Sequence, residues 1–563
     1  MKIYYEAKQT DFHSIPGSPI AYWASDRVRE IFKNSKDLRL IAPPRAGLQT
    51  GENDLFIRKW QEIDKTKMYE SCSSCDESEL LNYKWYPYNN GGAFRKWYGN
   101  KFDVVNWYKN GKDIKQDKLE KLKIGLCLPS NSKPKNMEYY FKESITWSFV
   151  SSTSFGVRYS KAGAIFDIAG SSVFASKDNI KYLTGFLCSK IVFEFLKLLN
   201  PTLNFQVGNV GSLPIIFPKD ENIKKQIDNI VEQNIQISKD DLDSFETSWN
   251  FEQHPLLRFK ENGKVEDSFN KWKEYKQEQF NKLKANEEEL NRLFIEIYGL
   301  QDEMTPDVDD KDITVRKADE VREIESLMSY AIGCMLGRYS LDKKGLVFAG
   351  GEFNKDNYKT FKADDDAIIP ILSEHYFSDD ITERFKKFIK IAFGDKYYEE
   401  NLEYIASVLG KKNNETADDT IRNYFLKDFY NDHVKMYQKR PIYWLFSSKN
   451  GNFNALIYLH RYNKDTVNRI LNNYLREYRG KLEQSIHNDK QLLTSSASDK
   501  DKSKAQKEIE IAQKIANEVT DYERDILYPL ATERKEIDLD DGVKVNYLKF
   551  GKALKDIGLK AKK

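Results

Sequence analysis

The residues best suited to contact an anionic, planar ligand lie at positions 84–109. This 26-residue segment carries nine aromatic side chains and five Lys or Arg, with Asp103 as its single acid. Lys and Arg neutralise phosphates, and planar side chains contact sugars or unstacked bases. The composition therefore favours a nucleic-acid-binding surface. An alternative remains open, because the same aromatic residues could build a protein core beneath a basic outer face.

Two further segments carry residue types suited to DNA contact. Residues 144–160 (SITWSFVSSTSFGVRYS) combine hydroxyl side chains with a glycine, an arginine and a tyrosine, which suits backbone and base-edge contacts from a loop. Residues 200–208 (NPTLNFQVG) add side-chain amides that suit adenine edges. The same residue types also occur in turns at a sheet edge, so a structural role stays open. The three segments together predict six DNA-binding residues: Arg95, Lys96, Tyr98, Arg158, Tyr159 and Asn204.

Motifs for phosphate cradling, amino-methyl transfer and metal binding do not occur in the sequence. There is no GxxxxGK[ST] and no GxGxxG. The single Pro-Pro pair lies between Ala42 and Arg45, which supply neither the acceptor nor the aromatic ring of an NPPY-type loop. Cys72 and Cys75 form a lone CxxC, whereas a zinc site needs about four ligands. We predict no catalytic residue, no bound cofactor and no metal ligand in this chain.

Composition and charge narrow the class of protein. The 563 residues carry 89 Lys and Arg against 87 Asp and Glu, a formal net charge of +2. A near-neutral total argues against coating DNA over the entire surface but is compatible with a local basic groove. The hydrophobic fraction of 40% excludes a disordered chain. Sparse cysteines, with neither a signal segment nor an apolar run of about 20 residues, predict a cytoplasmic protein without membrane contact.

The order of predicted elements indicates an α+β fold in four segments. Residues 1–35 are expected to end a preceding domain and to contain a helix near 25–32. Residues 36–218 are predicted to form a mixed α/β domain. Residues 219–300 keep helical spacing and predict two long helices, the second about 30 residues long. Residues 301–563 are predicted to be mainly helical.

Apolar runs within the mixed domain predict individual elements. Runs bounded by turn residues predict strands at 104–105, 124–128 and 164–168. The longer apolar stretch at 180–199 predicts one helix closed by Asn-Pro. Gly299 is expected to end the second long helix, because glycine readily adopts the left-handed conformation at that position.

Six stretches of the chain are distinctive in both sequence and order. They are IPGSPIAYW (15–23), GGAFRKWYGN (91–100), DIAGSS (167–172), NPTLNFQVGNVGSLP (200–214), YAIGCMLGRYS (330–340) and RPIYWLF (440–446). In combination they resemble the PglX-type adenine-specific DNA methyltransferases of BREX phage-defence systems, and the resemblance covers nearly the whole chain. Single-chain type II restriction-modification enzymes share parts of the same pattern.

The resemblance implies a role for each segment. It implies the end of a methyltransferase-like segment over 1–35 and a DNA target-recognition domain over 36–218. It further implies a helical spacer over 219–300 and, over 301–563, a helical C-terminal domain that helps to close around DNA. The family's S-adenosylmethionine loop and NPPY catalytic loop do not occur in this sequence. We therefore expect S-adenosylmethionine to serve the full enzyme rather than to bind this chain. The expected partners are double-stranded DNA, a methyltransferase N-terminal half that is separate or missing, and other BREX proteins.

The expected function is the DNA-binding specificity portion of a site-specific N6-adenine DNA methyltransferase. Two alternatives remain open: the specificity half of a fused type II restriction-modification enzyme, and a non-catalytic protein-interaction module of a defence complex. A nuclease motif in an upstream segment would favour the first alternative. Failure to bind duplex DNA would favour the second.

Overall fold

The computed structural model describes residues 13–150, 154–200, 202 and 204–560. Helices dominate and the sheets are small, so the fold is α+β with a helical C-terminal region, as predicted. The chain divides into two compact units. Unit 1 contains the described parts of Met1–Trp60, Lys67–Ser248 and Glu274–Lys317, and unit 2 those of Gln61–Thr66, Trp249–Lys273 and Ala318–Lys563.

Unit 1 combines nine helices of its own with short strands in the part of the chain that the structure describes. The helices are α1 (Asp26–Asn34), α2 (Leu38–Ile41), α3 (Asn53–Phe56), α4 (Cys75–Leu80), α5 (Tyr108–Lys123), α6 (Ile180–Cys188), α7 (Lys190–Leu199), α8 (Val207–Gly211) and α9 (Glu221–Asp243). The strands are β1 (Lys36–Asp37), β2 (Pro44–Arg45), β3 (Ile57–Lys59), β4 (Trp85–Asn89), β5 (Asp103–Asn106), β6 (Ser144–Trp147), β7 (Val157–Ser160), β8 (Ile165–Phe166), β9 (Ser172–Val173) and β10 (Pro214–Ile215).

Unit 2 is mainly helical and contains one small sheet. Its elements are α10 (Pro255–Arg258), the first residues of α11 (Val265–Tyr298), α12 (Glu320–Met335), β11 (Ile368–Pro370), α13 (Ile381–Phe393), α14 (Tyr398–Val408), α15 (Ala417–Lys427), α16 (Phe429–Met436), β12 (Tyr443–Ser447), β13 (Asn454–Tyr458), α17 (Thr466–Arg469), α18 (Arg476–Thr494), α19 (Asp499–Tyr522), α20 (Tyr528–Glu533) and α21 (Val543–Leu548). The strands pair antiparallel in the order β11-β13-β12. From residue 274 onward, α11 belongs to unit 1.

Two four-stranded sheets organise unit 1. Sheet I has the order β2-β9-β6-β7 and is antiparallel throughout. Sheet II has the order β3-β5-β4-β8, with β4 and β8 parallel. Successive side chains of a strand point to opposite faces of its sheet. One face of sheet I is therefore apolar and packs in the main core, whereas the other is polar and buried. The apolar face carries Ile145, Trp147, Val157 and Val173, and the polar face carries Ser144, Thr146, Arg158, Ser160 and Ser172.

Most of the elements predicted from apolar spacing are present. The helix near residue 25 is α1, which begins after the N-cap Ser25. The strand predicted at 104–105 lies within β5, and the two long helices are α9 and the 34-residue α11. Gly299 follows α11 with a φ of +66°. The predicted division at residues 35, 218 and 300 stays a prediction, since unit 1 takes residues from each of the first three predicted segments.

Two sequence predictions are wrong in detail. Residues 124–128 form a turn rather than a strand: Gly125 has a φ of +75°, and Ile124, Leu126 and Leu128 are all exposed. An apolar run makes a strand only where a partner strand pairs with it. The single helix predicted over 180–199 is two helices, α6 and α7. Ser189 interrupts them with extended backbone (φ −74°, ψ 156°).

Helix α15 begins with a reciprocal capping box whose removal we expect to be measurable. The Thr416 hydroxyl accepts from the Asp419 amide (3.1 Å), and the Asp419 carboxylate accepts from the Thr416 amide (3.0 Å). Thr416→Ala should cost about 1 kcal/mol of helix stability. The first-turn amides of α15 should then exchange hydrogen about fivefold faster. Thr416→Ser keeps the acceptor and should exchange at the wild-type rate; equal protection in the Ala variant would refute the capping role.

Candidate nucleic-acid interface

Four loops of unit 1 meet beyond the ends of sheets I and II. The Phe149 amide donates to the Ala169 carbonyl (2.9 Å), and the Phe205 amide donates to the Phe149 carbonyl (2.8 Å). The Asp167 amide donates to the Asn89 carbonyl (3.0 Å). Main-chain hydrogen bonds thus connect residues that are distant in sequence. We call this set the loop cluster; it comprises residues 89–93, 148–150, 167–171 and 204–206.

Glycine is required where two of these loops approach each other most closely. A Cβ atom at Gly170 would lie 2.0 Å from the Asn89 carbonyl oxygen. At Gly91, which has a φ of +72°, a Cβ atom would lie 2.5 Å from the Ala169 carbonyl oxygen. Real Cβ atoms do not reach such distances, so any other residue would push the loops apart. The glycines of the GGAFRKWYGN and DIAGSS stretches therefore have a physical role in closing the loop cluster.

The outer surface of the loop cluster mixes polar and apolar groups. Gly92, Val150, Ile168, Asn204 and Gln206 are exposed. Asn204 is held through its backbone, because its carbonyl accepts from the Asn200 side-chain amide (2.7 Å). Its own side chain faces solvent, as the sequence-based prediction requires for base contact. Loop tips of this kind, held by a rigid sheet, are typical of recognition surfaces.

Three other predicted residues, Arg158 and Tyr159 of sheet I and Tyr98, are not exposed at this surface. Arg158 is 2% exposed and donates through Nη1 to the Ser148 hydroxyl (3.3 Å). Tyr159 is half-buried on the opposite face, where its hydroxyl donates to Glu143. Tyr98 is buried, and burial raises the pKa of its phenol. DNA contact by these three residues stays a prediction that requires movement of the residues covering them.

Arg95 and Lys96 contact other parts of unit 1. The Arg95 guanidinium donates to the Thr314 carbonyl. The Lys96 ammonium pairs with Glu287 of α11 at 2.6 Å, and the indole of Trp97 donates to the same carboxylate at 2.7 Å. Burial alone would lower the pKa of Lys96, but the charge and the hydrogen bond of Glu287, with smaller contributions from other groups, together raise it. The main chain of Trp97 pairs with that of Val157 and Tyr159, so the segments 95–98 and 157–159 are neighbours. The side chains of the six predicted residues nevertheless do not form one exposed surface, since only Asn204 lies exposed in the loop cluster.

The aromatic residues of positions 84–109 contribute to the core of unit 1, which was the alternative left open. The rings of Trp85, Tyr86, Tyr88, Trp97, Tyr98 and Trp107 are buried. A buried ring cannot stack on a base without local rearrangement. Most of the aromatic residues in this segment therefore serve to pack the protein core.

The sequence analysis did not select Lys101, although the structure places it beside Arg158. Lys101 is 6% exposed, and its ammonium donates to the Asn89 side-chain oxygen (3.0 Å) and to the Ser160 hydroxyl (2.7 Å). Burial, together with the charges of Arg158 and Lys161, lowers the pKa of Lys101 to about 7. The available signal was a lysine within a strongly aromatic stretch, which does not distinguish a buried cation from a solvated one.

The two thiols of the CxxC pair lie in buried or half-buried positions. Burial raises the pKa of both Cys72 and Cys75 to about 11, so the thiols stay protonated at neutral pH. Among the described residues, no group of three or more His, Cys, Asp or Glu is arranged to hold a metal ion. Within the same residues, no helix has both the length and the apolar character that a membrane span needs.

The Pro-Pro segment does not fit the chemistry of amino-methyl transfer. Ala42 is buried and has no side-chain acceptor for a target amine. The Arg45 guanidinium lies over the Tyr139 ring at 5.1 Å and donates to the Pro44 carbonyl (3.1 Å). The face of the Tyr139 ring is therefore already covered by a side chain of the protein itself, Arg45. S-adenosylmethionine chemistry is not supported by these residues.

Comparison with known proteins gives two extensive similarities, whereas no family model matches the chain. The chain is 41% identical over 555 residues to "Adenine-specific methyltransferase PglX" of Lacticaseibacillus casei (strain Zhang), covering 97% of this chain and 45% of that protein. It is 35% identical over 593 residues to "Adenine-specific methyltransferase BrxX" of Escherichia coli O9:H4 (strain HS), covering 99% of this chain and 46% of that protein. The chain is thus similar along almost its whole length to two curated adenine-specific methyltransferases, and it spans about half the length of each.

Proposed function

We propose that this chain is the DNA-binding specificity portion of a site-specific, S-adenosylmethionine-dependent N6-adenine DNA methyltransferase of a BREX-type phage-defence system. The observation that carries the proposal is the similarity over 97% and 99% of the chain to proteins named as adenine-specific methyltransferases. The chain covers 45% and 46% of those proteins, and it has no NPPY-type loop. On this proposal, the residues that catalyse methyl transfer belong to the methyltransferase N-terminal half.

The loop cluster supports a role in DNA recognition. It presents the exposed residues Asn204 and Gln206, and a buried cationic residue, Arg158, donates to Ser148 of the same cluster. Proteins read sequence through side chains at base edges and set their register through contacts to phosphates. A loop surface on two sheets supplies both kinds of group. The proposed partners are duplex DNA, a methyltransferase N-terminal half and other proteins of the defence system.

Methyl transfer from labelled S-adenosylmethionine to duplex DNA tests this proposal. The chain alone, a family-like catalytic half alone and their mixture are compared on the same DNA. We expect incorporation with the mixture that exceeds the sum of the separate reactions. Incorporation of methyl groups by this chain alone would contradict the proposal that it is the specificity portion without a catalytic site of its own.

Duplex binding and DNA cleavage separate the proposal from its alternatives. The chain should retard duplex DNA at moderate salt, and the retardation should weaken as salt rises, because phosphate contacts release counterions. No retardation at low salt would favour an interaction module. Cleavage of unmethylated DNA by the active mixture would favour a restriction-modification enzyme.

A further inference from the structure

Two cationic side chains are buried together beneath the loop cluster. Lys101 donates to Asn89 at the end of β4 and to Ser160 of β7. Arg158 lies two residues before Ser160 on the same polar face of sheet I. The backbones of Arg158 and Ser160 are therefore roughly 7 Å apart along β7. Lys101 is 6% exposed and Arg158 is 2% exposed. Both cations therefore lie within one buried polar layer.

No carboxylate neutralises this pair among the described residues. The hydrogen-bond acceptors of Lys101 and Arg158 are neutral: an amide oxygen and two hydroxyls. The Arg158 Nε has no hydrogen-bond partner. Buried charges in proteins are normally paired, because removal from water is costly. Arg158 and Lys101, whose pKa burial lowers to about 7, therefore have no internal counter-charge, and an external anion would complete the site by holding Lys101 protonated.

The ionisable groups around the pair do not supply that anion. Asp103, two residues after Lys101, pairs with Lys59 at 2.9 Å. Asp167 accepts from the Tyr88 hydroxyl and from the Ala169 amide. Burial raises the pKa of Cys188, whose thiol donates to the carbonyl of Val157 next to Arg158, to about 12, so the thiol stays neutral. The remaining charged neighbour, Lys161, is exposed and cationic. The local charge is positive.

A short hydrogen-bond chain connects Arg158 with the exposed part of the loop cluster. Arg158 Nη1 donates to the Ser148 hydroxyl, and that hydroxyl donates to the Gly92 carbonyl at 2.9 Å. Gly92 is exposed, so one side chain separates the guanidinium from the outer turn. Movement of the turn at Gly91 and Gly92 would open a path to the pair. The loops proposed to contact DNA thus lie directly over it.

We propose that Lys101 and Arg158 form a binding site for a phosphate of the DNA backbone, reached when the turn at Gly91 and Gly92 moves away from Ser148. This inference rests on the proposed function, because DNA supplies the phosphate. An arginine guanidinium and a lysine ammonium are the usual partners of phosphate oxygens. A phosphate held there fixes the position of the duplex relative to the loop cluster, so that a base edge can lie next to Asn204.

Phosphate binding at this site is coupled to the proton on Lys101. Free Lys101 has a pKa of about 7, and a bound phosphate raises it by adding a negative charge. The DNA-bound state therefore holds more protons than the free state above pH 7. Affinity then falls as pH rises through 7, and we expect a loss of roughly tenfold between pH 7 and pH 8.5.

Duplex binding by the full chain at several pH values and salt concentrations tests the proposal. Lys101→Met should weaken binding at pH 6.5, remove the pH dependence above pH 7 and reduce the salt slope by about one. Lys101→Arg keeps a permanent charge and should bind without dependence on pH in this range. Lys118→Met is the matched control, because Lys118 is also 6% exposed in unit 1 but donates to the Asn131 carbonyl. It should behave as the wild type.

Thermal unfolding with sodium pyrophosphate, against sodium chloride at equal ionic strength, gives a reading that is independent of DNA. Pyrophosphate at pH 6.5 should raise the Tm of the wild type and of Lys118→Met more than that of Lys101→Met. If duplex DNA binds but Lys101→Met keeps the wild-type pH dependence, the site is refuted and the proposed function stands. If pyrophosphate discriminates between the variants but duplex DNA does not bind, the anion site stands and its assignment to DNA is refuted. If Lys101→Met weakens DNA binding no more than Lys118→Met does, the proposal is refuted.

Discussion

Glu287→Ala should lower the free energy of unfolding of unit 1 by about 3–5 kcal/mol, because it leaves a buried ammonium without its counter-charge. Glu287 is 3% exposed on α11, and its carboxylate accepts from Lys96 (2.6 Å) and from the Trp97 indole (2.7 Å). One substitution thus removes an ion pair and a hydrogen bond from the same buried position. Urea denaturation followed by tryptophan fluorescence, with hydrogen exchange of unit 1 peptides, measures the loss.

Three further variants identify the cause of this destabilisation. Glu287→Gln keeps an acceptor for Trp97 and should recover part of the loss. The double variant Lys96→Met with Glu287→Ala removes both charges and should be more stable than Glu287→Ala alone. Glu289→Ala is the control on the same helix, where the ion pair joins exposed Arg292 to half-buried Glu289 and should contribute at most about 1 kcal/mol. A similar effect of Glu287→Ala and Glu289→Ala would contradict the role of the buried pair.

Gly170→Ala should displace Asn89, whose side chain accepts from Lys101, and so weaken DNA binding at least about tenfold, the equivalent of about 1.4 kcal/mol. The added Cβ atom would lie 2.0 Å from the Asn89 carbonyl oxygen and 2.9 Å from the Gly91 amide nitrogen. Both contacts are to backbone, so neither can be relieved by rotation of a side chain. Relief by backbone shifts should also cost about 1–3 kcal/mol of stability. Duplex binding at a fixed salt concentration measures the first effect, and urea denaturation measures the second.

Gly208→Ala is the matched control for this substitution. Gly208 lies in α8 of the same unit, and a Cβ atom there would have no neighbour within 4 Å. It should leave DNA affinity unchanged and should not lower stability, because alanine is favoured over glycine within a helix where there is space for its Cβ atom. Wild-type affinity in a folded Gly170→Ala protein would show that the arrangement of these loops is not needed for binding. Loss of affinity in both variants would indicate a contact outside the loop cluster.

Local sequence patterns predicted the elements whose backbone hydrogen bonds join residues close together in the sequence. Helices α1, α9 and α11 followed from apolar spacing over a few turns, and Gly299 followed from the left-handed conformation at a helix end. The same reasoning failed at 124–128, where the apolar run has no partner strand and lies exposed. A strand is stabilised by residues elsewhere in the chain, so its own composition does not decide whether it forms.

The position of the candidate residues was not predictable for the same reason. The sequence selected Arg158 and Asn204 by residue type, and their contact with DNA stays a prediction, but it gave no sign that Lys101 lies beside Arg158. It marked Lys96 as a cation for DNA, whereas the structure pairs that residue with Glu287, 191 residues later. Whether a lysine is solvated, paired or buried depends on which distant segment packs against it. The sequence alone therefore determined the residue types and the local helical spacing. Tertiary packing decided which charges pair and how the loop cluster closes, because both require contacts between residues far apart in sequence.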